Sequence, residues 1–220
     1  MASRRLLVTG GHGLVGHHII QYALAAGYEV HATYSGQHAI SPDEGAVQWH
    51  QCDLVESGNA TRLISAVGPA DVVHAAWYTA HGRYWNAPEN LKWLSATAEL
   101  CEAFAANSGH RFVLVGTCAE YDWRYGTMIE GETPEVPASL YGRCKLAAHH
   151  AVQGAASAFG FSAVTARIFT CYGPRENANR MIPYLSRSLA AGETPAITSG
   201  RQIRDFIHAD DMARAMLVLL

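Results

Sequence analysis

Tyr141 and Lys145 stand four residues apart in Tyr141-Gly142-Arg143-Cys144-Lys145. On a helix that spacing puts both side chains on one face, one turn from each other. An ammonium beside a phenol favours the phenolate and draws its pKa down from ~10. The tyrosine can then act as acid and base in interconverting a carbinol and a ketone. A neighbouring hydroxyl that holds the same oxygen would complete the group. Thr117 is suited to this, in Gly116-Thr117-Cys118-Ala119-Glu120-Tyr121 directly after an apolar run.

A second pattern points to a dinucleotide. Thr9-Gly10-Gly11-His12-Gly13-Leu14-Val15-Gly16 lies between a short apolar run and a helical pattern. Glycines at 10, 13 and 16 permit a tight turn, close backbone approach to a pyrophosphate, and close helix–strand packing. The helix start adds unpaired N–H groups and the positive end of its dipole. The second strand would end in Val30-His31-Ala32-Thr33-Tyr34-Ser35, without the acid that grips the ribose hydroxyls of NAD. No arginine stands beside it for a 2′-phosphate. The Thr33 and Ser35 hydroxyls could donate to that phosphate, so NADP is the expected cofactor and NAD the alternative.

These residues need a frame, and the hydrophobic pattern supplies one. Short apolar runs at 6–9, 29–33, 47–52, 71–75, 111–115 and 162–168 alternate with helical patterns at 14–26, 61–66, 88–108 and 140–159. Continuous rather than alternating apolar runs fit parallel strands covered on both faces. The expectation is a doubly wound α/β sheet with right-handed crossovers. Beyond residue 168 the pattern changes: Pro174, Pro183 and Pro195 cut it into short pieces, before an apolar helical run at 212–220. The expected division is therefore 1–168, carrying cofactor and catalytic residues, and 169–220, a small substrate-binding portion interleaved with the sheet and not complete.

Composition sets the outer bounds. The 220 residues are 49% hydrophobic and 16% charged, with a formal charge of −3, which suits a globular core. Without a basic run, neither nucleic acid nor an anionic membrane is an expected partner. No stretch reaches the ~18 apolar residues of a membrane span. The basic start Met1-Ala2-Ser3-Arg4-Arg5 leads into only Leu6-Leu7-Val8 before glycines intervene, too little for a signal peptide. Five scattered cysteines without a CxxC read as reduced thiols, so the cytoplasm is the expected location. Twelve histidines show no ligand spacing, and no metal is expected.

In these motifs the sequence resembles the extended short-chain dehydrogenase/reductase family, in its nucleotide-sugar epimerase/dehydratase/reductase branch. The matching segments are TGGHGLVG at 9–16, CDL at 52–54, DVVHAAW at 71–77, GTCAEYD at 116–122, YGRCK at 141–145, RIFTCYGPRE at 167–176 and RQIRDFIHADDMARA at 201–215. The resemblance implies a Rossmann sheet, with Thr117, Tyr141 and Lys145 as the catalytic triad. Gly10, Gly13, Leu14, Val15 and Gly16 would hold the cofactor, Asp53 and Leu54 would face its adenine, and Ala75 and Ala76 would line it. Arg204 would grip the diphosphate of a nucleotide sugar, as a guanidinium fork can. Arg180 and Thr170 would lie on the substrate side. Pairing of the two long helices into a homodimer is implied as well.

Departures from the family pattern bear on the reaction. Relatives that remove water across C5–C6 resemble each other in an acid within two residues after the catalytic Ser/Thr. Here Cys118 and Ala119 stand there, and Glu120 is one place too late, turned to the other side by strand-like alternation. Thr170-Cys171 replaces a frequent asparagine pair. Cys118 or Cys171 is either an acid/base of epimerisation or a small buried apolar residue. The aromatic stretch 77–85 either walls the sugar pocket or packs on the long helix. The expected reaction is reduction of a 4-keto-deoxysugar. The alternatives are an epimerase with tightly held NAD and a non-catalytic, NADP-sensing regulator.

Overall fold

The computed structural model describes residues 4–36 and 45–220. Residues 1–3, the first three of the five in the basic start considered above, lie outside the described residues. Six parallel strands form the main sheet: β1 (Arg5–Thr9), β2 (Glu29–Tyr34), β3 (Gln48–Gln51), β4 (Asp71–His74), β5 (Arg111–Thr117) and β6 (Ser162–Ile168). Their order across the sheet is β3-β2-β1-β4-β5-β6, which is the doubly wound Rossmann arrangement.

The strands bury both faces, which is why their sequences run apolar without a break. Leu6, Val8, Val73, Val113 and Val115 point to one side, under helices α1 (Leu14–Ala25) and α6 (Ala209–Leu219). Leu7, Val72, Phe112 and Leu114 point to the other, under α2 (Asn59–Val67), α3 (Glu89–Ala106) and α4 (Leu140–Phe159). Helix α4 begins where Ser139 caps it, its hydroxyl accepting from the Gly142 N–H at 3.1 Å, and ends at Gly160 with φ +79°. Both are the local signals a 20-residue helix needs at its ends.

The C-terminal part is more regular than its prolines suggest. Helix α5 (Met181–Ala190) contains Pro183 in its first turn, where no backbone N–H has an intrahelical acceptor to lose. Two three-residue strands, β7 (Thr170–Tyr172) and β8 (Phe206–His208), pair in parallel, with Thr170 opposite Phe206. That ladder brings the stretch around Arg204 back beside Thr170. Helix α6 then packs on α1, and Cys171, Ala209, Met212, Ala213 and Met216 join the same core as β1. Among the described residues no helix is long and apolar enough to cross a membrane.

Close packing at the first loop leaves no room for a methyl group. A Cβ on Gly16 would lie 2.4 Å from the Gly10 carbonyl oxygen, a backbone atom that cannot swing aside. Gly16→Ala is therefore expected to lower unfolding stability by about 1–3 kcal/mol, read from urea denaturation curves at constant m-value.

Candidate active site

A cavity of about 750 Å³ opens at the carboxyl ends of the strands, where the strand order reverses between β1 and β4. Open α/β sheets bind ligands at this point. Its cradle is the turn after β1. Gly10 sits at φ +70°, and a Cβ there would come within 2.9 Å of the Ala76 Cα. Helix α1 then starts behind Gly13, with no side chain capping its first turn. Uncapped N–H groups beneath a side-chain-free loop fit a pyrophosphate.

The predicted residues divide unevenly. Gly10, Gly13, Leu14, Val15, Gly16, Ser35, Ala75 and Ala76 border the cavity. So do Thr117, Tyr141 and Lys145, and, on the C-terminal side of the chain, Thr170, Arg180 and Arg204. Thr33 borders it too, but its hydroxyl accepts the Gly10 N–H at 3.1 Å and the residue is 2% exposed. It holds the glycine loop from below. Asp53 and Leu54 are not among the bordering residues. Past β3 the chain buries Leu54 in the core with Leu63 and Leu100, and Asp53 stays exposed, its carboxylate accepting the Val55 N–H at 3.2 Å.

Two elements meet to form the catalytic group. Thr117 is the last residue of β5, and α4 presents Tyr141 and Lys145 one turn apart. The wholly buried Lys145 ammonium donates to the Val115 carbonyl at 2.8 Å and sits 4.0 Å above the Trp77 ring. Burial pushes its pKa down to about 7, against the pull of the Glu120 carboxylate. The Tyr141 phenol does not follow the sequence expectation of a lowered pKa. Burial drives it above 10, and a hydrogen bond with Thr117 only partly offsets that. Desolvation outweighs the lysine here because Lys145 is itself turned toward Val115 and Trp77 and is driven toward its neutral form.

Around the phenol the aromatic stretch after β4 folds inward, so it both walls the cavity and packs on α4. Tyr84 lies 4.9 Å from the Tyr141 ring and Trp85 lies 5.9 Å from it, both edge-on. Asn90, fully buried, pins this stretch. Its amide donates to the Tyr84 and Ala87 carbonyls at 2.7 and 2.9 Å and accepts the Trp77 indole N–H at 2.8 Å.

Other positioning residues escaped the sequence reading. His74 is wholly buried with a pKa pushed down to about 3, so it is neutral and its hydrogen bonds have one consistent direction. The Ala76 N–H donates to the Thr9 hydroxyl at 3.1 Å, and that hydroxyl donates to His74 Nδ1 at 2.7 Å. Nε2 donates to Thr97 at 2.9 Å, and Thr97 donates to the Trp93 carbonyl at 2.8 Å. This chain fixes the cofactor-lining turn after β4 to α3. Glu120 is fully buried, though not by strand alternation: Cys118–Glu120 form a 3-10 turn that folds its side chain back onto Thr117. It accepts the Thr117 N–H at 2.9 Å and pairs with Arg167 at 2.6 Å. Burial raises the Cys118 thiol and pushes Cys171 up to about 11, so neither supplies thiolate near neutral pH. Only the glycine between Tyr141 and Arg143 gave a signal for the close approach of α4 to the turn after β5: a Cβ on Gly142 would lie 2.3 Å from the Ala119 carbonyl oxygen.

Comparison with known proteins decides the lineage of this site. The model of the NAD dependent epimerase/dehydratase family matches residues 6–220. The chain belongs to this family. It is 29% identical over 238 residues to a UDP-glucose 4-epimerase of Streptomyces lividans, covering 98% of this chain and 71% of that protein. A dTDP-glucose 4,6-dehydratase of Neisseria gonorrhoeae is 27% identical over 97% of this chain and 68% of its own length. The solved structure of MoeE5 with UDP-glucuronic acid and NAD is 28% identical, covers 98% of this chain and 71% of that one, and superposes with a TM-score of 0.81. The family is NAD dependent, and the NADP preference expected from the sequence finds no support.

Two outcomes follow from this geometry. Gly142→Ala would push α4 away from the turn after β5, and a displacement of about 1 Å at Tyr141 should lower kcat roughly 100-fold, while NAD affinity by calorimetry changes little. Lys145 gives the cofactor-free protein a pH signature. Above about pH 7 the folded state has released a proton that the unfolded chain keeps until 10.5. The contribution of Lys145 to stability should therefore rise from pH 7 toward pH 10, by at most ~1.4 kcal/mol per unit, while the buried cysteines, raised from 9.0, act in the opposite direction as pH approaches that value. The stability of the wild type relative to Lys145→Met should increase between pH 7 and 9 in urea titrations.

Proposed function

We propose that this chain is the catalytic frame of a nucleotide-sugar 4-epimerase that keeps NAD bound through turnover. The observation that carries the reading is the convergence of Thr117, Tyr141 and Lys145 on one cavity with an uncapped glycine cradle. NAD, held by the Gly10–Gly16 loop, would supply the hydride acceptor and donor for the sugar carbon. Tyr141 takes the proton of the C4 hydroxyl from its phenolate form and gives it back on reduction. Thr117 holds the same oxygen through its hydroxyl. Lys145 stands one turn away on the same helix, and a ligand positive charge nearby would draw the phenol toward that phenolate. Arg180 and Arg204 serve the substrate diphosphate, and Ser35 borders the cofactor's ribose.

A dehydratase is disfavoured by the lining itself. Expelling water from C5–C6 calls for an acid at the leaving hydroxyl, and no carboxyl group borders the cavity among the described residues. Glu120, the nearest acid to Thr117 in sequence, is engaged by Arg167 instead. Reduction of a nucleotide-activated 4-keto-deoxysugar, the first expectation from the sequence, is set aside. It rested on NADP as a consumed co-substrate, whereas the relatives are epimerases and dehydratases of an NAD-dependent family.

Two measurements test this. Acid-released cofactor identified by mass spectrometry should be oxidised NAD near one per chain, and freely exchanging NADPH would contradict it. Tyr141→Phe should cut epimerisation by about 10²–10⁴-fold with NAD still retained. Undiminished turnover would remove Tyr141 from the mechanism.

A further inference from the structure

A carboxylate outside the cavity stands behind one of its arginines. The Glu176 side chain is 3% exposed and is not among the groups that border the cavity. Its Oε1 lies 3.0 Å from the Nε of Arg180, four residues along the chain. The other oxygen, Oε2, is buried with no hydrogen-bond partner among the described residues. Burial raises the pKa of this carboxyl, against the pull of the Arg180 charge and the Gly173 amide. Stability does not account for such a group. Its partner is 41% exposed, and a buried carboxylate with one oxygen unsatisfied costs more than a half-exposed pair returns.

The backbone that carries Glu176 is held firmly. It follows a turn in which Arg175 takes a left-handed backbone, φ +70°, which an arginine adopts only where its surroundings impose it. Two adjacent histidines of α1 grip that turn. His18 Nε2 lies 3.1 Å from the Pro174 carbonyl oxygen, and its Nδ1 lies 2.9 Å from the Asp210 carboxylate. The Arg175 guanidinium donates to His17 Nδ1 at 3.0 Å. At the far end the Asn177 carbonyl accepts the Arg180 N–H at 2.9 Å. Glu176 is thus fixed to the cofactor helix, and Arg180 is fixed to Glu176.

The gain is the aim of one arginine. Arg180 caps α5 and, unlike Glu176, borders the cavity. A loose arginine samples many rotamers, and its ligand must order it. Glu176 takes the guanidinium at Nε, so this ion pair leaves the outer Nη1/Nη2 edge for a two-point contact with an anion. Resting on the nucleotide-sugar reading above, we propose that Glu176 is a positioning residue, which holds the Arg180 guanidinium with its outer edge toward the substrate diphosphate.

Two conservative variants separate reach from charge. Glu176→Gln keeps an acceptor for the Nε–H and loses the charge. Glu176→Asp keeps the charge and is one methylene short. UDP-glucose and dTDP-glucose are titrated by calorimetry into the NAD-loaded wild type and each variant, with NAD retention reporting the fold. Glu176→Asp should bind nucleotide sugar about 10-fold more weakly, the cost of ordering a loose arginine. Glu176→Gln should stay within about 2-fold of the wild type if reach alone sets the aim. In turnover KM should follow the affinity while kcat holds, because the diphosphate is gripped alike in ground and transition states. In an Arg180→Ala background Glu176→Asp should have no effect. Unchanged affinity in Glu176→Asp, an equal loss in Glu176→Gln, or a loss that persists without Arg180 would each overturn the positioning role and leave the epimerase reading standing. Failure of both nucleotide sugars to bind the NAD-loaded wild type would overturn both.

Discussion

Backbone meets backbone at Gly10, and much else in the molecule is arranged around that contact. The loop after β1 lies so close to Ala76 on one side and Gly16 on the other that no side chain fits at either glycine. This closeness lets α1 start at the sheet edge with its amides open, and it sets the turn after β4 as the floor of the cavity. The same turn is held from behind by the chain through Thr9, His74 and Thr97. Cofactor cradle and aromatic wall are thus two ends of one rigid connection rather than separate sites.

Charge in the buried centre is arranged with comparable economy. Lys145 has one carbonyl and one aromatic face for company, and Glu120 stands behind Thr117, neutralised by Arg167. A lysine so placed gives up its proton readily, and a phenol so placed keeps its own. The protein without its ligands is consequently not poised for proton transfer at neutral pH. Positive charge carried in by a ligand would draw the phenol toward its phenolate.

The sheet and the convergence of Thr117, Tyr141 and Lys145 on one cavity were legible because their signals are local. Continuous apolar runs mark doubly covered strands, glycine spacing marks a loop that must touch backbone, and a four-residue interval marks a helix face. What the sequence did not disclose depends on three-dimensional context. Thr33 reads as a free hydroxyl until the fold directs the Gly10 N–H onto it. Asp53 and Leu54 sit in a family-like motif, yet the path of the chain after β3 sends one to solvent and the other to the core. His74 and Asn90 are isolated polar residues in apolar surroundings, and nothing near them in sequence names Thr97 or Trp77 as their partners. Pro183 suggested a break, whereas its place in a first helical turn makes it harmless.

The short β7–β8 ladder carries a consequence for how the molecule breathes. Its three paired residues join segments 36 positions apart, Thr170 to Phe206 and onward, and with the Arg204 contact over Trp123 they draw the Arg204 stretch inward. A segment held by so few contacts opens locally at lower cost than the six-stranded sheet. The glycine loop and α4, packed on that sheet, keep their shape through such an opening. The Arg204 side of the cavity can therefore loosen while the Gly10 side stays closed.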